Sequence, residues 1–353
     1  MESEKVTMLH GGGGVYMQRL IREHLLPRFS GLRSRFTVEL PLQALADSAV
    51  VEGVAFTTDS YTVTPIFFPG GDIGRLSVAG TVNDLSMVGA EPAAISCALV
   101  IEEGLSFREL DKVLDSVRET AEEAGVEIVT GDTKVVERGK LEKLIINTSG
   151  IGVRSRLLDR NLKAAGRTLE SRWLSASNLR PGDKLILTGA LGDHAVAVML
   201  ARGEMGFQAP GVRSDVAPLN GLMEAVLEVG GVVAAKDPTR GGLAALLNEW
   251  ADASGLGILV DEEAIPIHEG VRAACDILGI EFYELANEGK AVLAVAPERA
   301  GEVVEALRSH RLGREAEIIG EVTSEYEGVV IRTGIGGLRY LPAPMGDPVP
   351  RIC

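Results

Sequence analysis

The sequence predicts an α/β protein with α+β character, built as two domains and framed by a glycine-rich N-terminal arm and an extended C-terminal tail. Three observations predict it. Short β-branched runs alternate with segments of helical period along most of the chain. A basic, polar stretch at 154–180 interrupts an otherwise acidic protein. At 353 residues the chain is long enough for two ordinary cores. The predicted layout is an arm at 1–45, a first domain at 46–153, a linker at 154–180, a second domain at 181–341 and a flexible tail at 342–353.

The arm starts polar, passes through His10-Gly11-Gly12-Gly13-Gly14 and takes up a helical pattern over 15–29. In the first domain, 54–58, 94–100, 126–130 and 144–151 read as strands. Its clearest helix is 106–124: Ser106 and Glu109 form a capping box, Leu110, Val113, Leu114 and Val117 share a face, and Gly125 ends it. The second unit begins at Pro181-Gly182-Asp183 with a strand at 184–188. Helices are expected near 192–203, 217–229, 241–253 and 298–309, and strands near 256–260, 290–296 and 316–322. Prolines at 342, 344, 348 and 350 favour an extended polyproline II tail at ~3.1 Å per residue. Such a tail could carry the thiol of Cys353 on the order of 35 Å from the last packed element, as a swinging arm does. A frayed end with an accidental cysteine is the alternative.

Composition narrows the function. A net charge of −15 argues against nucleic acid or an anionic membrane as partner. No apolar stretch approaches the ~20 residues of a membrane span, and the start of the chain lacks a signal-peptide pattern. Of three cysteines, Cys97 lies in the apolar run 93–101 and Cys275 follows Ala273-Ala274, so both read as core residues. With no CxxC present, a cytoplasmic protein without disulfides is expected.

Aspartates recur after apolar, β-branched runs. Asp59 and Asp132 follow predicted strands, Asp84 sits within Gly80-Thr81-Val82-Asn83-Asp84-Leu85, and Asp47 opens the first domain. Singly, each fits an Asx-turn or cap. Together, converging carboxylates are costly unless a cation pairs them, and Mg²⁺ with a nucleotide suits hard oxygen ligands. The glycines after His10 could form an anion-binding nest or a flexible arm. Gly70-Gly71-Asp72-Ile73-Gly74-Arg75 leads into a helix whose N-terminus could face phosphate. Neither a Walker A motif nor a convincing GxGxxG is present. Asp237-Pro238-Thr239-Arg240-Gly241-Gly242 sets a guanidinium beside a glycine pair, for phosphate or for a local Asp237–Arg240 ion pair. Glu288, in the turn Asn287-Glu288-Gly289-Lys290, is a candidate general base or a solvated loop residue. His194 reads as part of an Asp-His cap, and His24, His268 and His310 as surface residues.

These motifs, with Phe68-Pro69-Gly70, Thr57-Thr58-Asp59-Ser60, Ile101-Glu102-Glu103-Gly104, Gly131-Asp132-Thr133-Lys134-Val135-Val136 and the ending Pro350-Arg351-Ile352-Cys353, run in order from one end of the chain to the other. In this the chain resembles the HypE family, the carbamoyl dehydratases of NiFe-hydrogenase maturation, within the AIR synthase (PurM)-like ATP enzymes. The resemblance implies an AIR synthase-like fold and a homodimer with nucleotide at the interface of first domains. It implies ATP and Mg²⁺ as cofactors, with the carbamoyltransferase HypF and the HypC–HypD iron scaffold as partners. Cys353 would receive a carbamoyl group, which ATP-driven dehydration converts to a thiocyanate whose cyano group goes to iron. By the same resemblance, Cys353, Glu288 and Lys134 are catalytic, and Lys134 needs a depressed pKa from Mg²⁺ or burial. Nucleotide contacts fall to His10, Gly11, Gly12, Gly13, Gly14, Asp59, Gly71, Asp84, Gly131, Asp132, Thr133 and Arg240. Metal contacts fall to Asp47, Asp59, Asp84, Asp132 and Asp237.

The chain departs from the family pattern in three places: Asp47-Ser48 where paired acids are usual, Ala195 where a glycine follows the Asp-His pair, and extra length near 158–176. Rival readings are a small-molecule kinase or selenophosphate synthetase of the same superfamily, and a non-catalytic assembly scaffold. None of them uses the terminal cysteine as a substrate carrier.

Overall fold

A computed structural model describes residues 5–203 and 211–353. The arm carries a 3₁₀ turn at Met8–Gly11, then α1 (Gly14–Arg19), which runs through a π-turn (Leu20–Leu25) into α2 (Leu26–Phe29). The first half continues with β1 (Val38–Leu40), β2 (Ala49–Val51), β3 (Val54–Tyr61), the ribbon β4 (Phe67–Phe68) and β5 (Gly71–Asp72), and α3 (Ile73–Met87). It ends with β6 (Ala90–Glu102), α4 (Phe107–Ala124), β7 (Glu127–Val136) and β8 (Leu144–Arg154). In the second half come α5 (Leu158–Lys163), β9 (Lys184–Leu187), α6 (Asp193–Arg202), α7 (Asn220–Val229), β10 (Val232–Lys236), α8 (Gly242–Ser254) and β11 (Gly257–Asp261). These are followed by α9 (Glu269–Leu278), β12 (Val292–Val295), α10 (Ala300–Ser309), β13 (Glu317–Thr323), β14 (Val329–Arg332) and β15 (Leu338–Tyr340).

Two sheets organise these elements. The first has the order β1-β2-β3-β8-β6-β7, and the second β10-β12-β9-β13-β11-β14-β15. Strand alternation explains the first sheet. Ala55, Thr57 and Tyr61 of β3 and Leu144, Ile146 and Thr148 of β8 turn inward, while Val54, Phe56, Ile151 and Val153 face out and stay exposed. On the inward face lies α3, which is buried nearly all round because α4 and elements of the second half also pack against it. Gly80 permits that approach, since a Cβ there would lie 2.3 Å from the Tyr61 hydroxyl. Helix α4 is amphipathic; Ser106 caps it by accepting the Glu109 N–H at 3.2 Å, and Gly125 ends it with φ of 70°.

Several sequence expectations shift. β3 continues to Tyr61 and β7 to Val136, so Asp59, Gly131 and Asp132 sit within strands rather than beyond their ends. Asn83 and Asp84 lie inside α3 and not in a turn. Residues 154–180, which lie between the two domains, pack against both: Leu158, Leu162, Trp173 and Leu174 are buried in a core shared with Leu85 and Val226, and Arg167 grips Asp183 with two bonds of 2.6 and 2.7 Å. Arg154 lies over this apolar layer, stacked 4.9 Å above the Trp173 ring. The tail is docked, with Val349 and Ile352 buried. Of the cysteines, Cys275 is buried and Cys97 half-buried.

Candidate active site

A cleft of about 240 Å³ opens between β3 and α3 on one side and β10, α8 and the 287–290 turn on the other. Its walls carry six carboxylates, Asp47, Asp59, Asp84, Asp237, Glu249 and Glu288, against two cations, Lys236 and Arg240, and Cys353 lies at its edge. The inward phase of β3 aims Asp59 and Thr57 at the cleft, α3 supplies Asp84, and Lys236 and Asp237 leave the end of β10. Thr57 donates its hydroxyl to Asp84 at 2.6 Å and Tyr61 donates to Asp59 at 3.1 Å. Lys236 pairs with Asp47 and, at 3.5 Å, with Glu249.

Ligand oxygens of Asp47, Asp84 and Asp237 all lie within 4.8 Å of one another. Their electrostatics show the cost. Burial pushes Asp84 well above the usual carboxylate range, and repulsion from Asp59, Asp237 and Asp47 adds to it. Asp237 is raised by burial and by Asp47, with Lys236 pulling the other way. Asp47 and Asp59 are also raised by burial, against the pull of Lys236 and Arg240 respectively. One ammonium cannot neutralise this group, so hard oxygen donors stand crowded and under-compensated, which fits a divalent cation such as Mg²⁺.

Glu288 is buried, and its Oε1 has no hydrogen-bond partner among the described residues. Burial, then Asp237, Asp215 and Asp59, push its pKa well above the ordinary value, with Arg240 opposing. The Cys353 thiol is likewise pushed well up by burial; Arg240 lowers it, and Glu288, Asp347 and Asp59 raise it further. A docked Cys353 is therefore a neutral thiol and a poor nucleophile.

The arm packs on this site from the side. Arg240 donates to the Gly11 carbonyl at 3.2 Å, and the Val15 N–H donates to the Pro344 carbonyl at 2.9 Å. A second cavity, about 400 Å³, is lined by His10, Gly11, Gly12, Arg240, Asp347 and Cys353 among others, so Arg240 and Cys353 belong to both spaces. His10 itself is engaged locally, with Nδ1 3.0 Å from the Thr7 N–H.

Other predicted residues are not gathered here. Asp132, Thr133 and Lys134 are exposed on the edge strand β7, and Asp132 pairs with Lys134 at 2.5 Å. That pairing raises the Lys134 pKa, opposite to the depression expected. Gly131 lies on the same strand, and Gly71 packs against Val216 and Phe68 rather than lining the cleft. The helix N-terminus after Gly71 is closed by its own residue: Asp72 accepts from the Gly74 and Arg75 N–H groups at 2.7 and 3.1 Å. Among the described residues Asp237 and Arg240 form no ion pair with each other; Arg240 turns instead toward Cys353 and Asp59.

Two charged cleft residues stand outside the sequence motifs, Lys236 and Glu249; for Lys236 the signal is its place at a strand end beside Asp237. His194 lies at the helix start expected for an Asp-His cap, but it is fully buried there, and burial lowers its pKa. Nor is His268 idle: it bridges Asp193 at 2.9 Å and Glu315 at 3.2 Å. No helix among the described residues is long and apolar enough to cross a membrane.

Residues 45–154 match the AIR synthase related protein, N-terminal domain, and residues 180–332 the C-terminal domain of the same family. The chain is 45% identical to carbamoyl dehydratase HypE of Bradyrhizobium diazoefficiens, covering 99% of this chain and 96% of that one. Among solved structures, a chain of the HypE–HypF complex superposes with a TM-score of 0.82 at 44% identity, over 92% of this chain and 99% of that one. HypE in complex with ATP superposes at 0.78 with 41% identity, over 99% of this chain and all of the other (100%). Both halves of the fold and the full length of the chain thus match one group, and the chain belongs to the HypE family of AIR synthase related proteins.

Proposed function

We propose that the protein uses ATP to dehydrate an S-carbamoyl group on its own Cys353 to a thiocyanate, supplying cyanide for the iron of a NiFe hydrogenase in the cytoplasm. The carrying observation is that Cys353 shares one cleft with the acidic cluster, Glu288 and Arg240. In the net reaction the sulfur–carbon bond persists, the carbamoyl oxygen leaves with phosphate, and both nitrogen protons go to base. Mg-ATP, when bound, supplies the phosphoryl group that makes this oxygen a leaving group, with Asp47, Asp84 and Asp237 holding the cation and Asp59 beside them. Cys353 holds the substrate covalently and needs no nucleophilic role in the cleft. Glu288 takes a proton from the carbamoyl nitrogen; its raised pKa makes it a stronger base once ionised, and Arg240 favours that ionised form.

The sheet register places Asp132 and Lys134 on the same open face as Phe56 and Ile151. We therefore read the protein as a homodimer through that face, in which Asp132 and Lys134 serve the cleft of a second copy. Likeness to HypE bound to HypF supports HypF as the carbamoyl donor. HypC–HypD would accept the cyano group.

Intact mass spectrometry tests the reading. With HypF, carbamoyl phosphate and Mg-ATP, Cys353 should gain one carbamoyl group and then lose one water. Cys353→Ala should show neither change while still binding nucleotide. A carbamoylated protein that turns over ATP without ever losing water would overturn the proposal.

A further inference from the structure

The last four residues are held by their backbone. Arg202, at the end of α6, donates through Nη2 to the carbonyls of Pro350 (2.6 Å) and Arg351 (3.0 Å), while its Nε binds the Thr64 carbonyl at 2.8 Å. His194, at the start of the same helix, reaches the Ile352 carbonyl through Nε2 at 2.9 Å. Thr62 donates its hydroxyl to the Cys353 carbonyl at 3.2 Å, and the Thr64 N–H bonds the Arg351 carbonyl at 3.3 Å. Four consecutive carbonyls are thus engaged by the framework.

The His194 contact is directional. A carbonyl only accepts, so Nε2 carries the proton and Nδ1 accepts from the Ser214 hydroxyl at 2.8 Å. The Ser214 oxygen in turn accepts the Val216 N–H at 3.1 Å, which leaves its own proton for His194. Phe68 packs edge-on to the imidazole at 5.3 Å. His194 is thus a neutral donor fixed in one tautomer, on a rigid helix, with no function inside the acidic cleft itself.

We propose that His194 and Arg202 form a clamp on the tail's carbonyl groups, positioning residues that seat Cys353 in the cleft and let it go without any covalent change. The proposal rests on the carrier role of Cys353. Because the clamp reads backbone, it leaves the side chain of Arg351 on the rim, paired with Glu142 at 2.7 Å. Arg351 sits at φ 58°, a left-handed conformation that L-residues adopt at a cost, so release relaxes the chain as it breaks the hydrogen bonds. Burial of Ile352 and the hydrogen bond regained by His194 draw the tail back.

The test is alkylation of Cys353 by iodoacetamide in the full-length protein, read by mass on the fragment cut before Asp347. Arg202→Ala and His194→Leu should each speed alkylation by about tenfold, the loss expected for bonds of this kind. His194→Gln, which can place an amide N–H near the same carbonyl, should stay close to the parent rate. In the carbamoylated protein the two disruptive variants should also slow ATP-dependent water loss without weakening nucleotide binding. Should His194→Leu fail to fold, Arg202→Ala and Thr62→Val carry the test. Parent-like alkylation in the folded variants overturns the clamp. Faster alkylation alongside a parent protein that never loses water leaves the clamp standing and removes the dehydratase reading instead.

Discussion

Asp84 bears the conflict of the cleft in a single side chain: buried, facing Asp59, Asp237 and Asp47, with the Thr57 hydroxyl relieving it. Asp84→Asn keeps the shape and can still accept from Thr57, but it removes one of the repelling charges. In the presence of a chelator the variant should melt about 2–4 °C above the parent, the shift of roughly 1 kcal/mol in a protein of this class. Mg²⁺ should stabilise the parent and leave the variant nearly unchanged, because a ligand stabilises only the state that binds it. A variant that melts lower with chelator and still gains from Mg²⁺ would remove Asp84 from the cation site. Asp347 makes a different demand. Burial lifts it from 3.8 to about 7 in the docked tail, against the Val349 N–H, Arg240 and Arg202. The docked state therefore holds a proton that the released tail gives up. Docking is strongest below the lower value and weakens as pH rises toward 7. Relative to a free peptide of the last twelve residues, Cys353 alkylation should accelerate between pH 5 and 7, and Asp347→Asn should flatten that profile. Identical profiles would show that this carboxyl does not govern docking.

Elements were legible in the sequence to the degree that they face water. α4 shows its period, cap and stop because one side is solvated, and its predicted limits hold to within a residue. α3 shows no period because it is buried nearly all round. The sequence around Asp84 therefore carries no helical signal and fits an Asx-turn or cap. The residue types group Asp47, Asp59, Asp84 and Asp132, with Asp237 added by family resemblance alone; the first three and Asp237 line one cleft, and Asp132 does not, since nothing local to Gly131-Asp132 says the strand continues. Glycine and proline report local conformation only, so the sequence leaves the glycine arm between an anion-binding nest and a flexible segment and makes the tail an extended, flexible one. Their mutual contact is a tertiary fact: Gly14 sits at φ 68°, and a Cβ there would lie 2.0 Å from the Pro344 carbonyl oxygen. Gly14→Ala should therefore separate arm from tail at a cost above about 1 kcal/mol. Limited trypsin digestion should then cut at Arg19 and Arg22 several times faster, with the remainder of the protein equally resistant. Unchanged protection would mean that the arm is held by α8 alone, through Gln18–Glu249 and Arg22–Asp252.

For the whole molecule, the cleft within one chain has its acidic cluster, Glu288 and Cys353 but not Asp132 or Lys134. Under the proposed two-fold pairing, the outer face of the first sheet would bring them to the cleft of a second copy. Phe56 is 47% exposed and Val153 52%, an apolar surface continuous through the register with the strand that carries Lys134. A two-fold pairing through this face is isologous, so each copy would lend the same residues to the other. Phe56→Glu with Ile151→Glu should then yield a monomer by sedimentation that still accepts a carbamoyl group on Cys353 but dehydrates it poorly. Complementation gives the sharper test. Cys353→Ala lacks the carrier and Lys134→Ala lacks the lent residue, so each pure dimer should be inactive. In a co-expressed equal mixture about half the dimers are mixed, and one cleft in each pairs an intact tail with an intact Lys134 from the other copy. Dehydration should recover to about one quarter of the parent level, as that two-fold geometry requires. No recovery in verified mixed dimers would place the action of Lys134 within its own chain, and the pairing through this sheet would then have no part in catalysis.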